Sequence, residues 1–110
     1  MLSKKLKLPI KEFPKRSTLY FKGEKLSIKR AHNKHTYPRI GVLVSKKVSP
    51  KATTRNFIKR TIYDFLGERL ETIPGGVDLL VVVGGHIIET SSDTKSALRK
   101  ELEKGLKALN

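Results

Sequence analysis

Between residues 53 and 66, basic and amide side chains recur at a spacing that suits anion binding. At helical spacing, Ile58, Ile62 and Phe65 fall on one apolar side. The polar residues fall on or near the other side, and they are Arg55, Asn56, Lys59, Arg60 and Tyr63. Cations one helical turn apart repel each other, which costs an isolated helix about 0.2–0.5 kcal/mol per pair. The pattern fits either a solvated basic face or a face presented to a polyanion.

Two histidines, His32 and His35, are candidates for metal binding. Zinc needs three or four ligands, and no cysteine or nearby carboxylate completes a set. The surrounding positive charge also disfavours a divalent cation. We therefore expect these histidines to be solvated or to contact RNA. A protein nuclease acting through them and the neighbouring lysines is the least favoured alternative.

Other motifs that could support catalysis are incomplete. The glycine pairs Gly75–Gly76 and Gly84–Gly85 lack the flanking residues of nucleotide-binding loops, so we expect chain turns there. His86, Glu89 and Asp93 could form an acid–base set, but no nucleophile accompanies them. The sequence predicts neither a self-contained protein active site nor a bound cofactor.

The charge is divided unevenly along the chain. Residues 1–60 carry a net charge of +16 and residues 61–110 a net charge of −2, for +14 overall. Such asymmetry indicates nucleic acid or an anionic membrane as partner. No segment has the bulky amphipathic face of an interfacial helix, so nucleic acid is favoured. The longest apolar run, Val77–Val83, is too short to span a bilayer, and no signal core follows Met1, so a cytoplasmic protein is expected.

The 110 residues predict one domain with one hydrophobic core. The predicted elements, in order, are a short helix at 10–13, strands at 19–21, 26–30 and 39–45, a basic helix ending near 72, a strand at 77–83, and a leucine-seamed helix. The basic helix has two candidate starts, at Ser49–Pro50 and at Thr53 or Thr54. Thr90 and Asp93 have capping-box spacing before the last helix. The order α-β-β-β-α-β-α predicts an α+β two-layer sandwich with helices packed on a single sheet.

Two segments together resemble a known family. The sequence RIGVLVSKK at 39–47 precedes RNFIKR at 55–60, and the pair resembles the protein subunit of bacterial ribonuclease P. In that family a strand ends in Ser-Lys-Lys, and the next helix opens with Arg-Asn-Arg-x-x-Lys-Arg-x-x-Arg-Glu. The apolar strand and the closing leucine-spaced helix follow in the family's order, so the resemblance covers nearly the whole chain.

The resemblance implies an accessory protein of a catalytic RNA that removes the 5′ leader of precursor tRNA. It implies one mixed sheet in which the basic helix joins two parallel strands by a left-handed crossover, against the usual handedness. Mg²⁺ held mainly on the RNA would perform the hydrolysis, and no DNA partner is expected. The residues implied to contact the ribozyme RNA are Lys46, Lys47, Arg55, Asn56, Lys59 and Arg60. Those expected to contact the leader are Phe13, Arg39 and Tyr63.

The sequence also departs from the family pattern. Phe57 and Tyr63 stand where the family has arginines, although Tyr63 could stack on a base. Pro14 follows Phe13, and the strand at 26–30 lacks the aromatic expected on the substrate side. The alternative function is a ribosome-associated or other structural RNA-binding protein that uses the same basic helix.

Overall fold

The computed structural model describes residues 6–8, 18–84 and 91–109 of the chain. Its elements are β1 (Thr18–Lys22), β2 (Leu26–His32), β3 (Arg39–Val44), α1 (Ala52–Gly67), a 3₁₀ turn (Leu70–Thr72), β4 (Val77–Val83) and α2 (Ser92–Leu109). The short helix predicted at 10–13 lies outside the described residues.

The four strands form one mixed sheet in the order β1-β2-β4-β3. β1 pairs with β2 and β2 with β4 in antiparallel fashion, whereas β3 and β4 are parallel. α1 joins the two parallel strands, so it is the crossover connection that parallel pairing requires. The predicted α+β fold with a single mixed sheet is confirmed. The left-handedness of the crossover stays a prediction.

The hydrophobic core lies between one face of the sheet and the two helices. Alternate strand residues point into it, including Ile40, Val42 and their neighbours Leu79 and Val81 on β4. The helices contribute their apolar sides, from α1 Ile58, Ile62, Phe65 and Leu66, and from α2 Leu98, Leu102 and Leu106. Full burial of each such side chain contributes about 1.5–3 kcal/mol before entropic costs. The apolar side predicted for α1 is therefore confirmed. Because that side packs on the core, the polar side of α1 faces solvent.

Both helices begin or end at places that the sequence prediction missed. α1 ends at Gly67 and gives way to the 3₁₀ turn, so the prediction of one helix to Thr72 is wrong. Glycine costs about 1 kcal/mol in a helix interior, which favours ending the helix there. α2 begins at Ser92, and the Ser91 hydroxyl accepts a hydrogen bond from the Thr94 N–H at 3.4 Å. Ser91 thus acts as the cap, and the predicted cap Thr90 lies outside the described residues.

Residues 6–8 lie beside β3 at the edge of the sheet. The Leu8 N–H donates to the Ile40 carbonyl at 2.8 Å, and Leu8 is 4% exposed. A side chain at Gly41 would place its Cβ 3.2 Å from the Leu8 carbonyl oxygen, so glycine permits this close approach. This contact holds Lys7 near α1, where it meets the candidate site.

Candidate nucleic-acid interface

A tight turn after β3 presents two lysines to solvent. The Val48 N–H donates to the Ser45 carbonyl at 3.1 Å, which closes the turn. Val48 is 1% exposed and anchors the turn in the core, whereas Lys46 and Lys47, at its two central positions, are exposed. The hydrophobic anchor therefore keeps both ammonium groups at the surface.

Arg55 connects this loop to the first turn of α1. Its Nη1 donates to the Ser49 carbonyl at 2.9 Å, and the Lys51 N–H donates to the Ser49 hydroxyl at 3.3 Å. Ser49 is 3% exposed, so the guanidinium satisfies a carbonyl at a buried residue. A guanidinium has five N–H donors, so Arg55 can brace the loop and still contact an anion. Its structural contribution was missed because the sequence pattern showed only its charge.

The polar side of α1 continues the positive surface. Asn56 and Arg60 are exposed, and Lys59, which lies on the same side of the helix, is half-buried. Phe57 packs partly buried against the core, so it belongs to the apolar side rather than to the cationic one. We define the basic surface as the six residues Lys46, Lys47, Arg55, Asn56, Lys59 and Arg60, which lie in the turn after β3 and in residues 55–60 of α1.

The start of α1 adds positive potential to the basic surface. The N-cap residue Lys51 makes no side-chain cap hydrogen bond, and the first turn contains no acidic residue. Free N–H groups and the positive end of the helix dipole favour phosphate at such a terminus. Within the described residues, none of the basic-surface cations forms an ion pair. The charge therefore stays available to a polyanion.

Tyr63 lies at the margin of this surface. The Lys7 ammonium lies 5.4 Å from its ring centroid, a cation–π distance. Burial raises the pKa of Tyr63 above its usual 10.0, and a backbone hydrogen bond at Val42 opposes part of that shift. Together with Arg60 and Asp64, Lys7 and Tyr63 line a cavity of about 330 Å³. The ring of Tyr63 is therefore half-buried and already in contact with the Lys7 ammonium.

Arg39 is paired with an acid in the sheet. Its Nε and Nη2 donate to the two carboxylate oxygens of Asp78 at 2.9 and 2.8 Å. The Asn33 side-chain amide adds a third hydrogen bond to Asp78 at 2.7 Å. Asp78 is 1% exposed, so this acid depends on its partners. The structure thus gives Arg39 a structural role that its position at the start of β3 did not suggest.

The remaining candidates are dispersed. Phe13 lies outside the described residues. His32 and His35 are exposed, and among the residues described no three His, Asp or Glu side chains are grouped closely enough to hold a metal. In the described ranges no helix has both the length and the apolarity needed to cross a membrane.

Comparisons with known proteins place this geometry in a family. The family model described as Ribonuclease P matches residues 13–110. A ribonuclease P protein component from Cyanothece sp. is 39% identical over 83 residues, which cover 74% of this chain and 61% of that relative. The chain thus spans less than two thirds of that relative's length.

Two solved structures are similar over most of the chain. The RNase P protein from Thermotoga maritima, in complex with 1-(4-fluorophenyl)-2-thiourea, has a TM-score of 0.70 at 25% identity. The similarity covers 87% of this chain and 89% of that one. The RNase P protein from Staphylococcus aureus has a TM-score of 0.69 at 26% identity, covering 87% and 86%.

Proposed function

This chain belongs to the ribonuclease P protein family, and we propose that it acts as the protein subunit of the ribonuclease P ribonucleoprotein. In this role it binds the catalytic RNA and promotes endonucleolytic removal of the 5′ leader from precursor tRNA in the cytoplasm. The observation that carries the proposal is the basic surface formed by the turn after β3 and residues 55–60 of α1.

The basic surface suits a folded RNA for three reasons. Lys46 and Lys47 project from a turn anchored by Val48, so the backbone that carries them is already ordered before binding. The uncapped start of α1 offers N–H groups to a phosphate. Arg55 and Arg60 can form bidentate contacts with phosphate oxygens. Together these groups would fix the protein on the RNA without reading its sequence.

The protein's contribution to cleavage is electrostatic. Cations at the interface displace counterions and lower phosphate repulsion, which helps the RNA hold Mg²⁺ near the scissile bond. Mg²⁺ bound mainly by the RNA supplies the chemistry of hydrolysis, and the protein positions the leader. The protein holds no cofactor of its own in this proposal.

The leader contacts expected of Phe13, Arg39 and Tyr63 remain predictions. An aromatic ring under a base and cations along the backbone are sufficient to hold single-stranded RNA. The pairing of Arg39 with Asp78 and the half-burial of Tyr63 leave each only part of its surface for this task.

Cleavage of precursor tRNA by ribonuclease P RNA at low Mg²⁺ tests the proposal. Adding the full chain is expected to increase the cleavage rate, and a variant with Lys46→Gln, Lys47→Gln and Arg60→Gln should increase it much less. A matched control replaces the three exposed α2 lysines Lys100, Lys104 and Lys107 by glutamine. No stimulation by the unchanged protein contradicts the proposal. Co-purification with ribosomal RNA and no effect on precursor tRNA would favour the alternative instead.

A further inference from the structure

The loop between β2 and β3 carries a stacked aromatic pair. The rings of His35 and Tyr37 have centroids 4.8 Å apart and an interplanar angle of 19°. His35 is exposed and Tyr37 is partly buried, so His35 is the outer ring and Tyr37 supports it from below. An exposed ring that is already held in a stack presents a flat face to a third ring.

Asn33 holds this loop in place. Its N–H donates to the Gly76 carbonyl at 2.8 Å, and its side-chain oxygen accepts the His35 N–H at 2.8 Å. Its side-chain amide donates to Asp78 at 2.7 Å, which ties the loop to the buried ion pair. The loop 75–76 packs closely against it, since a side chain at Gly75 would collide with the Thr36 carbonyl. The stacked pair is therefore preorganised by the protein.

The pair lies far from the basic surface. Arg39, the first residue of β3, pairs with Asp78, the second residue of β4, and the His35–Tyr37 loop precedes Arg39. The Lys46–Lys47 turn follows the other end of β3, six residues along, which corresponds to about 20 Å of strand. A nucleotide at the stacked pair cannot also be the one at the basic surface.

We propose that His35 and Tyr37 form a stacking site for one unpaired nucleobase of bound RNA. Histidine and tyrosine both stack on splayed-out bases, and stacking tolerates any base because each has a π-face. Lys34, the residue before His35, is exposed, and no acidic residue occurs from 32 to 37. A phosphate next to the stacked base would therefore meet positive charge. The proposal rests on the proposed function in one respect, namely that the partner is RNA.

Site-specific crosslinking locates the contact. A photoreactive benzophenone amino acid in place of His35 is irradiated in the full chain bound to ribonuclease P RNA, to precursor tRNA, and to both together. We expect crosslinks to one unpaired segment, and the arm in which they occur identifies the source of the base. The same amino acid in place of Glu103, exposed on α2, is the control. Crosslinking no stronger than at Glu103, or spread over paired regions, overturns the proposal.

Affinity measurements separate stacking from charge. His35→Ala is expected to weaken binding of the crosslinked RNA about tenfold. Tyr37→Phe keeps the supporting ring and should bind like the unchanged protein. Lys34→Gln should reduce the salt dependence without removing the crosslinks. If His35→Ala binds normally while the Lys46→Gln, Lys47→Gln, Arg60→Gln variant is impaired, the stacking site is refuted and the proposed function stands.

Discussion

Replacing Arg39 by methionine should destabilise the fold far more than it weakens RNA binding. Methionine keeps most of the aliphatic length but removes two charge-assisted hydrogen bonds to Asp78, of 2.9 and 2.8 Å. Such bonds contribute about 1.5–3 kcal/mol each, and breaking one side of a buried ion pair costs about 3–5 kcal/mol. Asn33 still donates to the carboxylate, so we expect a loss of about 3–4 kcal/mol of unfolding free energy.

Urea unfolding followed by circular dichroism measures this loss as a lower transition midpoint. A second substitution, Asp78→Asn, should recover part of the stability in the Arg39→Met background, because the amide carries no charge. The reasoning is refuted if Arg39→Met costs less than about 1 kcal/mol, or if the second substitution recovers nothing. If the single variant keeps its stability and binds precursor tRNA more weakly, Arg39 acts on the leader, as the sequence suggested.

Three other perturbations have distinct signatures. Arg55→Ala should lower the unfolding free energy by about 1 kcal/mol, because the Ser49 carbonyl loses its donor, and should also weaken RNA binding; an unchanged urea midpoint would show that the brace is unimportant. Burial raises the pKa of Tyr63 above 10.0, so folding favours the neutral side chain. The contribution of Tyr63 to the free energy of unfolding is therefore fully present below pH 10 and is lost as the pH rises above that value. Tyr63→Phe should make the loss of stability at high pH less steep when unfolding is measured as a function of pH. Glu101→Leu should lower the thermal midpoint, since the Glu101 carboxylate accepts the Lys25 N–H at 3.0 and 3.1 Å and thereby joins α2 to the β1–β2 turn; a midpoint equal to that of the unchanged protein contradicts this role.

Periodicity in the sequence predicted the two sides of α1 and the buried strand β4. These patterns are local, because side chains at helical or strand spacing share a face whatever the rest of the chain does. Ile58 and Ile62 are fully buried, as their spacing predicted, and Asn56 and Arg60 lie outward. The helical part of the basic surface could therefore be predicted from spacing alone, whereas Lys46 and Lys47 were added by the resemblance to the ribonuclease P protein family.

Contacts between distant segments could not be predicted in the same way. The partner of Asp78 lies 39 residues away, although an acid within the apolar run at 77–83 was a signal that some cation must approach it. The stacked pair of His35 and Tyr37 depends on Asn33 and Gly76, which meet only when β2 and β4 pair. Phe57 looked like a lost cation on the helix and is instead a partly buried core contact.

The central claim is that the cations of the basic surface bind ribonuclease P RNA. The most direct test is the affinity of the full chain for that RNA across a series of monovalent salt concentrations. Replacing Lys46, Lys47 and Arg60 by glutamine should make the slope of log affinity against log salt concentration shallower by about 2–3, because each lost phosphate contact reduces the slope by about 0.7–0.9. The same substitutions at Lys100, Lys104 and Lys107 should leave the slope as it is. Equal slopes for the first variant and the unchanged protein would contradict the claim.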